Sequence, residues 1–420
     1  MSVSIRPRIA VLVAIGVGLG GLAAPGRGEA VAIAAAGSPA DAEFYSSQQW
    51  NLKAIRAKAG WPTEPVPATP ADEVLVAIVD TGIDYLHPDL GIRRNADGSP
   101  GDGGLVDLDK STSLITEVPA GTTCVGEPGL PYRANRTRDP FNEIAEATAR
   151  GRELVTDFHS HGTGVSGLIA SQAHWLAGVT QRTTLFGVKV HGMGRTNCLS
   201  VYLAGIRYAA DEGADVIHLS IPLEFDELDP RFPGAVSAIN DALGYAHARG
   251  AVLVAAAGNA PAGSPPSNLD EGTTFRFCEG NHVFCVSATG TDLVDLVEEP
   301  YWDEIASYSN FGSSIDVAGP GGTAAVPVWL TCSRVTLFSG APQAPCRAGD
   351  PTWTSTGTSF GAAATSGLAA LLKGIDPDAT PTRIEALIED SAVDLGVQGF
   401  DVRFGEGRID VKRAVRLVMP

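Results

Sequence analysis

The chain has 420 residues, 44% of them hydrophobic and 19% charged, with a formal charge of −18. That is enough apolar material for a sizeable core, and the length suits two or three domains or one large α/β enzyme. The acidic balance excludes a nucleic-acid or anionic-membrane partner, because holding phosphates takes clustered Lys and Arg.

Arg6 and Arg8 precede an apolar stretch, residues 9–24, that is short and glycine-rich for a membrane span. Small residues follow, as at Ala34-Ala35-Ala36, so residues 1–36 read as a signal peptide and flexible start. An uncleaved anchor is the other reading. No second long apolar run follows. The mature protein is therefore expected to be secreted or periplasmic, with no stable membrane span. Residues 37–71 form an N-terminal segment ending in a Pro-rich connector, "PTEPVPATPA".

From 72 to 418, apolar runs alternate with amphipathic segments. Residues 74–79 ("VLVAIV") read as a buried strand, 161–172 as a helix and 185–190 as a strand. Leu199, Leu203, Ile206 and Ala210 recur at helical spacing, and Gly213 supplies a stop. A strand at 216–219, a helix at 235–249 ending at Gly250, and strands at 252–256, 283–287 and 315–318 follow. Residues 359–373 read as a helix. Thr380 and Pro381 open another, with the proline in the first helical position, and Asp410 opens a last short one. The alternation predicts one α/β domain with a mostly parallel central sheet and helices on both faces. The polar stretch 93–156 reads as an insertion of surface loops.

Six cysteines in an exported chain point to disulfides. Short loops favour Cys278–Cys285 and Cys332–Cys346, which leaves Cys124–Cys198. No Cys-x-x-Cys spacing supports a zinc site.

Residues 357–361, "GTSFG", fit the elbow that presents a nucleophilic serine in α/β-hydrolases. That design needs Ser, then Asp, then His in chain order. The histidines lie at 87, 159, 161, 174, 191, 218, 247 and 282, all before Ser359, so the design is excluded. A base must lie upstream. "HSHGTGVSG" offers His161 at a helix start, with His159 as the competing choice. "VAIVDTGIDYLHPDL" offers Asp80 at the carboxyl end of a strand, where open α/β sheets place their sites. The remaining histidines have no partnering pattern and read as surface or core residues.

In this Asp, His, Ser order the chain resembles the subtilisin-like serine proteases (subtilases, peptidase family S8). "VDTGID" around Asp80, "HGTGVSG" from His161 and "GTSFGAAATSG" around Ser359 are similar to the family's aspartate, histidine and serine motifs. "AAAGN" ending at Asn259 is similar to its oxyanion segment. "GADVIHLS", "YSNFGSSIDVAGPGG" and "GEGRIDVKRAV" fall in register, and the resemblance spans 43–417. It implies a subtilisin-like three-layer fold and an exported serine endopeptidase that forms an acyl-enzyme. Ser359 is then the nucleophile, His161 the base and Asp80 the carboxylate that orients it. Asn259 and the Ser359 backbone N–H would stabilise the oxyanion. Ser220, Ile221 and Pro222 would bind substrate backbone as an added strand, with Ala256 and Gly258 completing the substrate-binding residues. The resemblance further implies a protein or peptide substrate, a monomer and no required cofactor.

The departures are specific. Pro222 lacks a backbone N–H, which removes one substrate contact. Ala363 stands where the family usually carries proline. "YSSQQWNLKAI" follows the signal too closely to leave room for a pro-domain. A structural calcium ion is a possible addition: Asp89 in "HPDL" stands at a ligand position by resemblance, but "QAHWLAG" lacks the Asn-rich character of the partner loop. Asp97, Asp102, Asp107 and Asp109 offer another oxygen-rich site, for which a solvated acidic loop is the plainer reading. Asn135-Arg136-Thr137 is a glycosylation sequon only in a eukaryotic secretory pathway. Pro222 and Ala363 also motivate an alternative, a catalytically silent binding scaffold of the same fold. A processing or ligating enzyme using the same acyl-enzyme is a third reading.

Overall fold

β1 (Val74–Asp80) is the pivot of the sheet. It pairs in parallel with β2 (Thr183–Lys189) on one side and with β3 (Val216–Leu219) on the other. From β3 the sheet continues in parallel through β4 (Val252–Ala256), β5 (Val283–Gly290) and β6 (Val317–Pro320). The chain thus lays β2 on one flank of β1 and then crosses to the other flank for β3. This computed structural model describes residues 42, 45, 48–61, 74–115, 143–181, 183–192, 199–221, 223–229, 234–291, 302–337, 346 and 348–419. All of them fall in one unit, 33–420. The expected signal peptide, Pro-rich connector, sequon and Cys124–Cys198 pair lie outside the described residues, as does Pro222.

The helices are α1 (His161–Ile169), α2 (Leu199–Asp211), α3 (Ala235–Ala248), α4 (Thr358–Ile375), α5 (Pro381–Ser391) and α6 (Val411–Val418). Strand alternation sorts the core into two layers. Val74, Val76 and Ile78 of β1, Val216 of β3, and Val252 and Val254 of β4 pack with α1, α4, α5 and α6. Ala77, Val79, Ile217, Leu219, Leu253 and Ala255 pack with α2 and α3. Burial on both faces explains why these strands read as unbroken apolar runs. Gly213 and Gly250 end α2 and α3 with φ of +82° and +97°, a backbone region that favours glycine. Thr380 caps α5 by accepting from the Arg383 N–H, with Pro381 at its first position, and Asp410 caps α6 likewise.

α4 is buried from Thr358 to Leu372, and its small residues make that possible. A Cβ on Gly361 would sit 2.9 Å from the carbonyl oxygens of both Gly319 and Ser287. The first turns of α4 therefore touch β5 and β6 peptide against peptide. Ala363 is also buried in this helix.

The structure departs from the sequence reading in places. α1 ends at Ile169 rather than at 172, because Ala170 turns extended and bridges to Thr180. The strand expected at 315–318 runs from Val317 to Pro320. Part of the stretch 93–156 is scaffold rather than surface loop. Ile92–Arg94 and Val106–Asp107 extend the sheet beyond β2, Thr112–Ser113 pairs with the end of β2, and Glu143–Ala149 is helical. Cys278–Cys285 and Cys332–Cys346 are bonded, as the short loops favoured. Among the described residues no helix is long and apolar enough to cross a membrane.

Two glycines of one helix test the close contact. Gly361→Ala is expected to cost about 2 kcal/mol, since backbone oxygens cannot make room for the methyl. In Gly374→Ala the new methyl meets only Val74 Cγ2 at 3.5 Å, and a gain of about 0.5 kcal/mol is expected from the lower unfolded-chain entropy. Urea unfolding midpoints compare the two.

Candidate active site

Asp80 ends β1, the strand at which the sheet reverses its order of growth, and open α/β sheets form clefts beyond the strand ends at such a point. As an even-numbered residue of β1 it faces the layer of α1 and α4. Its side chain is wholly buried. Oδ1 and Oδ2 lie 2.8 and 3.0 Å from His161 Nδ1. The Thr81 N–H donates to Oδ1 at 2.7 Å, and the Ser220 hydroxyl donates to Oδ2 at 3.2 Å. Burial alone would raise the Asp80 pKa, but the His161 ring and the Thr81 amide outweigh it and hold the carboxyl below its usual range. Burial alone would lower the His161 pKa, and the charge and hydrogen bond of Asp80 reverse this, with Asp157 adding to the effect. The imidazole is thus raised above 6.5.

His161 is placed by the start of its helix. Asp157, wholly buried, accepts on Oδ1 from Thr81 Oγ1 (3.0 Å), the His159 N–H (2.8 Å) and the Ser160 N–H (3.0 Å). On Oδ2 it accepts from the Thr163 N–H (2.9 Å) and hydroxyl (2.7 Å). Thr81 Oγ1 in turn accepts from the Gly162 N–H at 2.9 Å. Ser160 is held at φ +85° within this knot. A Cβ at Gly162 would lie 2.1 Å from the Gly82 carbonyl oxygen, so the helix start abuts the end of β1. Asp80 bonds His161 and not the competing His159, whose ring centre is 6.3 Å from that of His161.

Ser359 is the second residue of α4 and is 7% exposed. Its hydroxyl donates to the Ser220 carbonyl at 3.2 Å, rather than to the His161 ring. The ring of the next residue, Phe360, lies 6.1 Å from that of His161. Asn259 follows β4 on an exposed turn after Gly258, which adopts φ +89°. Asn259 Oδ1 accepts from the Thr358 N–H (2.9 Å) and hydroxyl (3.0 Å). The Thr358 N–H only donates, so the amide oxygen must face it and the NH2 points the other way. The Thr358 hydroxyl also accepts from the Gly258 N–H at 3.2 Å. Ser220 and Ile221 are buried after β3, while Ala256 and Gly258 are half-buried.

Asp80, His161, Ser220 and Ser359 therefore form one bonded chain, with Asn259 fixed to the first turn of the same helix as Ser359. The roles of Asp157, Thr81, Thr358 and the Ser220 hydroxyl were missed in the sequence, since each acts through a partner distant along the chain. His87, read as core or surface, is buried, with Nε2 2.8 Å from the Pro351 carbonyl.

Asp89, Asp97, Asp102 and Asp107 are engaged by donors of the chain itself. Asp89 accepts from the backbone N–H groups of His174, Trp175 and Leu176, so amide donors already face its oxygens. Asp97 accepts from Ser99, Asp102 from the N–H groups of Ile92 and Gly104, and Asp107 from those of Asp109 and Lys110. These carboxylates cap turns. Among the described residues no group of three or more His, Cys, Asp or Glu is arranged to hold a metal ion.

A profile of the subtilase family matches residues 71–407. Thermitase of Thermoactinomyces vulgaris is 24% identical, covering 89% of this chain and 98% of its own. Subtilisin DY of Bacillus licheniformis is 27% identical, over 63% of this chain and 81% of its own. The thermophilic serine proteinase of Bacillus sp. (strain AK1) is 26% identical over 74% of this chain, which spans 57% of that relative's length. Among solved structures, the epidermin leader peptide processing serine protease of Staphylococcus aureus is similar, with a TM-score of 0.62 at 20% identity, over 90% of this chain and 83% of that one.

The electrostatics of the pair can be read directly. The His161 ring should titrate above pH 6.5 in an NMR titration, and its midpoint should fall in Asp80→Asn, where burial is no longer opposed by that charge. An unmoved midpoint would contradict the assignment.

Proposed function

The chain belongs to the subtilase family, a family of serine-type endopeptidases, and on that premise we propose that it is an exported enzyme hydrolysing peptide bonds through Asp80, His161 and Ser359. The observation that carries this reading is the unbroken bonding from His161 through Asp80 and Ser220 to Ser359. The substrate is a protein or peptide, the enzyme acts as a monomer, and the apolar N-terminal stretch directs it out of the cytoplasm.

In the reaction, the Ser359 hydroxyl turns from the Ser220 carbonyl to His161 Nε2 and attacks the scissile carbonyl. His161 takes the hydroxyl proton and later gives it to the leaving amine. Asp80, bonded to Nδ1, fixes the tautomer that leaves Nε2 free to accept and stabilises the imidazolium. The Asn259 NH2 and the Ser359 N–H receive the developing oxyanion. That N–H belongs to a helical first turn, whose donors the helix does not satisfy itself, and the helix dipole adds to the effect. Water then hydrolyses the acyl-enzyme by the same steps in reverse. Ser220, Ile221, Ala256 and Gly258 flank the cleft and hold the substrate backbone as an added strand.

A fluorophosphonate probe should label Ser359, with labelling lost in Ser359→Ala and greatly weakened in His161→Ala. Folded wild-type protein that takes no label would instead identify a silent binding scaffold. Asn259→Ala should lower kcat by about 10²–10³-fold. Because His161 must be neutral to accept a proton and its pKa is raised, kcat/KM should fall with acid through a midpoint above pH 6.5.

A further inference from the structure

His218 takes no part in the reaction just described, yet it is bonded to it. It lies on β3, two residues before Ser220, and its ring is wholly buried. Alternation along the strand turns it, like Val216, toward α4. Nδ1 is 2.9 Å from Ser366 Oγ on that helix, and Nε2 is 2.7 Å from Ser220 Oγ. Ser220 Oγ is in turn 3.2 Å from Asp80 Oδ2.

The chemistry of these groups fixes every proton. An ionised carboxylate only accepts, so the Ser220 hydroxyl gives its proton to Asp80. Ser220 Oγ must then accept from His218, which places the ring proton on Nε2. Nδ1 is left as an acceptor, and the Ser366 hydroxyl donates to it. A neutral imidazole, with one donor and one acceptor, is the form this sequence needs. Burial supplies it by pushing the pKa down to about 4, with Asp80 opposing and His161 assisting. Ser366 lies about two turns beyond Ser359 on the same helix. The relay thus ties the helix of the nucleophile to the carboxylate that orients the base.

We propose that His218 is a positioning residue for peptide hydrolysis: as the Nε2–H tautomer it aims the Ser220 hydroxyl at Asp80. This rests on the proposed function in taking Asp80 and His161 as parts of the reacting centre. Without the Nε2–H, Ser220 Oγ loses the donor that holds it opposite Asp80, and an unprotonated Nε2 competes with Asp80 for the hydroxyl proton. Asp80 Oδ2 then loses its fixed donor, and the Ser220 carbonyl, on which the Ser359 hydroxyl rests, loses an anchor.

The first test needs no variant. Nitrogen-15 NMR of the wild-type imidazoles should show His218 as the Nε2–H tautomer; the Nδ1–H tautomer or an imidazolium near neutral pH overturns the proposal. The second is kinetic. His218→Met, which keeps bulk without the donor, should lower kcat by about 10- to 100-fold with KM little changed. His218→Gln, whose amide can reach Ser220, should recover most of that loss. Equal losses in both variants, or none in His218→Met, would overturn the idea. Should His218→Met fail to fold, Ser366→Ala removes only the donor to Nδ1. It should mix the His218 tautomers and lower kcat in part, and no change in either refutes the relay. A wild-type chain without peptidase activity would sink the proposed function, while the tautomer measurement would still decide the place of His218.

Discussion

A carboxylate that stays charged while wholly buried needs a full set of donors, and Asp80 has one. Without them a buried acid protonates instead. Its donors come from three separate parts of the chain: Thr81 beside it, Ser220 after β3 and His161 at the start of α1. Asp157 repeats the solution a few ångströms away, with amides and hydroxyls in place of an imidazole. Thr81 joins the two, giving its N–H to one carboxylate and its hydroxyl to the other. The end of β1 and the start of α1 are therefore one polar unit inside an apolar shell. Its geometry is set before any substrate arrives, which is what an electrostatic catalyst requires.

The second constraint is steric. α1 and α4 can bring His161 and Ser359 toward β1 and β3 only because small residues line their contacts. Gly162 lies against Gly82, and Gly361 against Gly319 and Ser287. The glycine- and alanine-rich texture of both motifs is thus a packing requirement as much as a chemical one. The polar network and the bare backbone contacts act together, one fixing angles and the other fixing distances.

Much of this was legible in the sequence. The long apolar runs at 74–79 and 252–256 are strands because both faces are buried, and such runs need no partner to be recognised. Asp80 could be picked out because it ends such a run, and His161 and Ser359 because they lie at helix starts, in the chain order of the subtilisin design. Val106 was not legible: the apolar pair Leu105-Val106, between Gly104 and Asp107, is too short to read as a run, and it joins the sheet through pairing with Leu185. Asp157, Thr358 and His218 were hidden for a related reason. Thr358 and His218 are ordinary polar residues until partners from distant segments are in place, and Asp157 is tied to the strand end only through Thr81. His218 came nearest to being visible, since alternation from Ser220 puts it on the same face of β3.

The peptide-to-peptide seat of α4 on β5 and β6 also bears on how such a protein can be altered. A floor built of main chain offers no side chains to trade, so on the proposed function adaptation to new substrates falls to the rim, in the turns that follow β3 and β4. Changes in the seat draw on the stability of the frame, whereas changes at the rim leave that contact untouched.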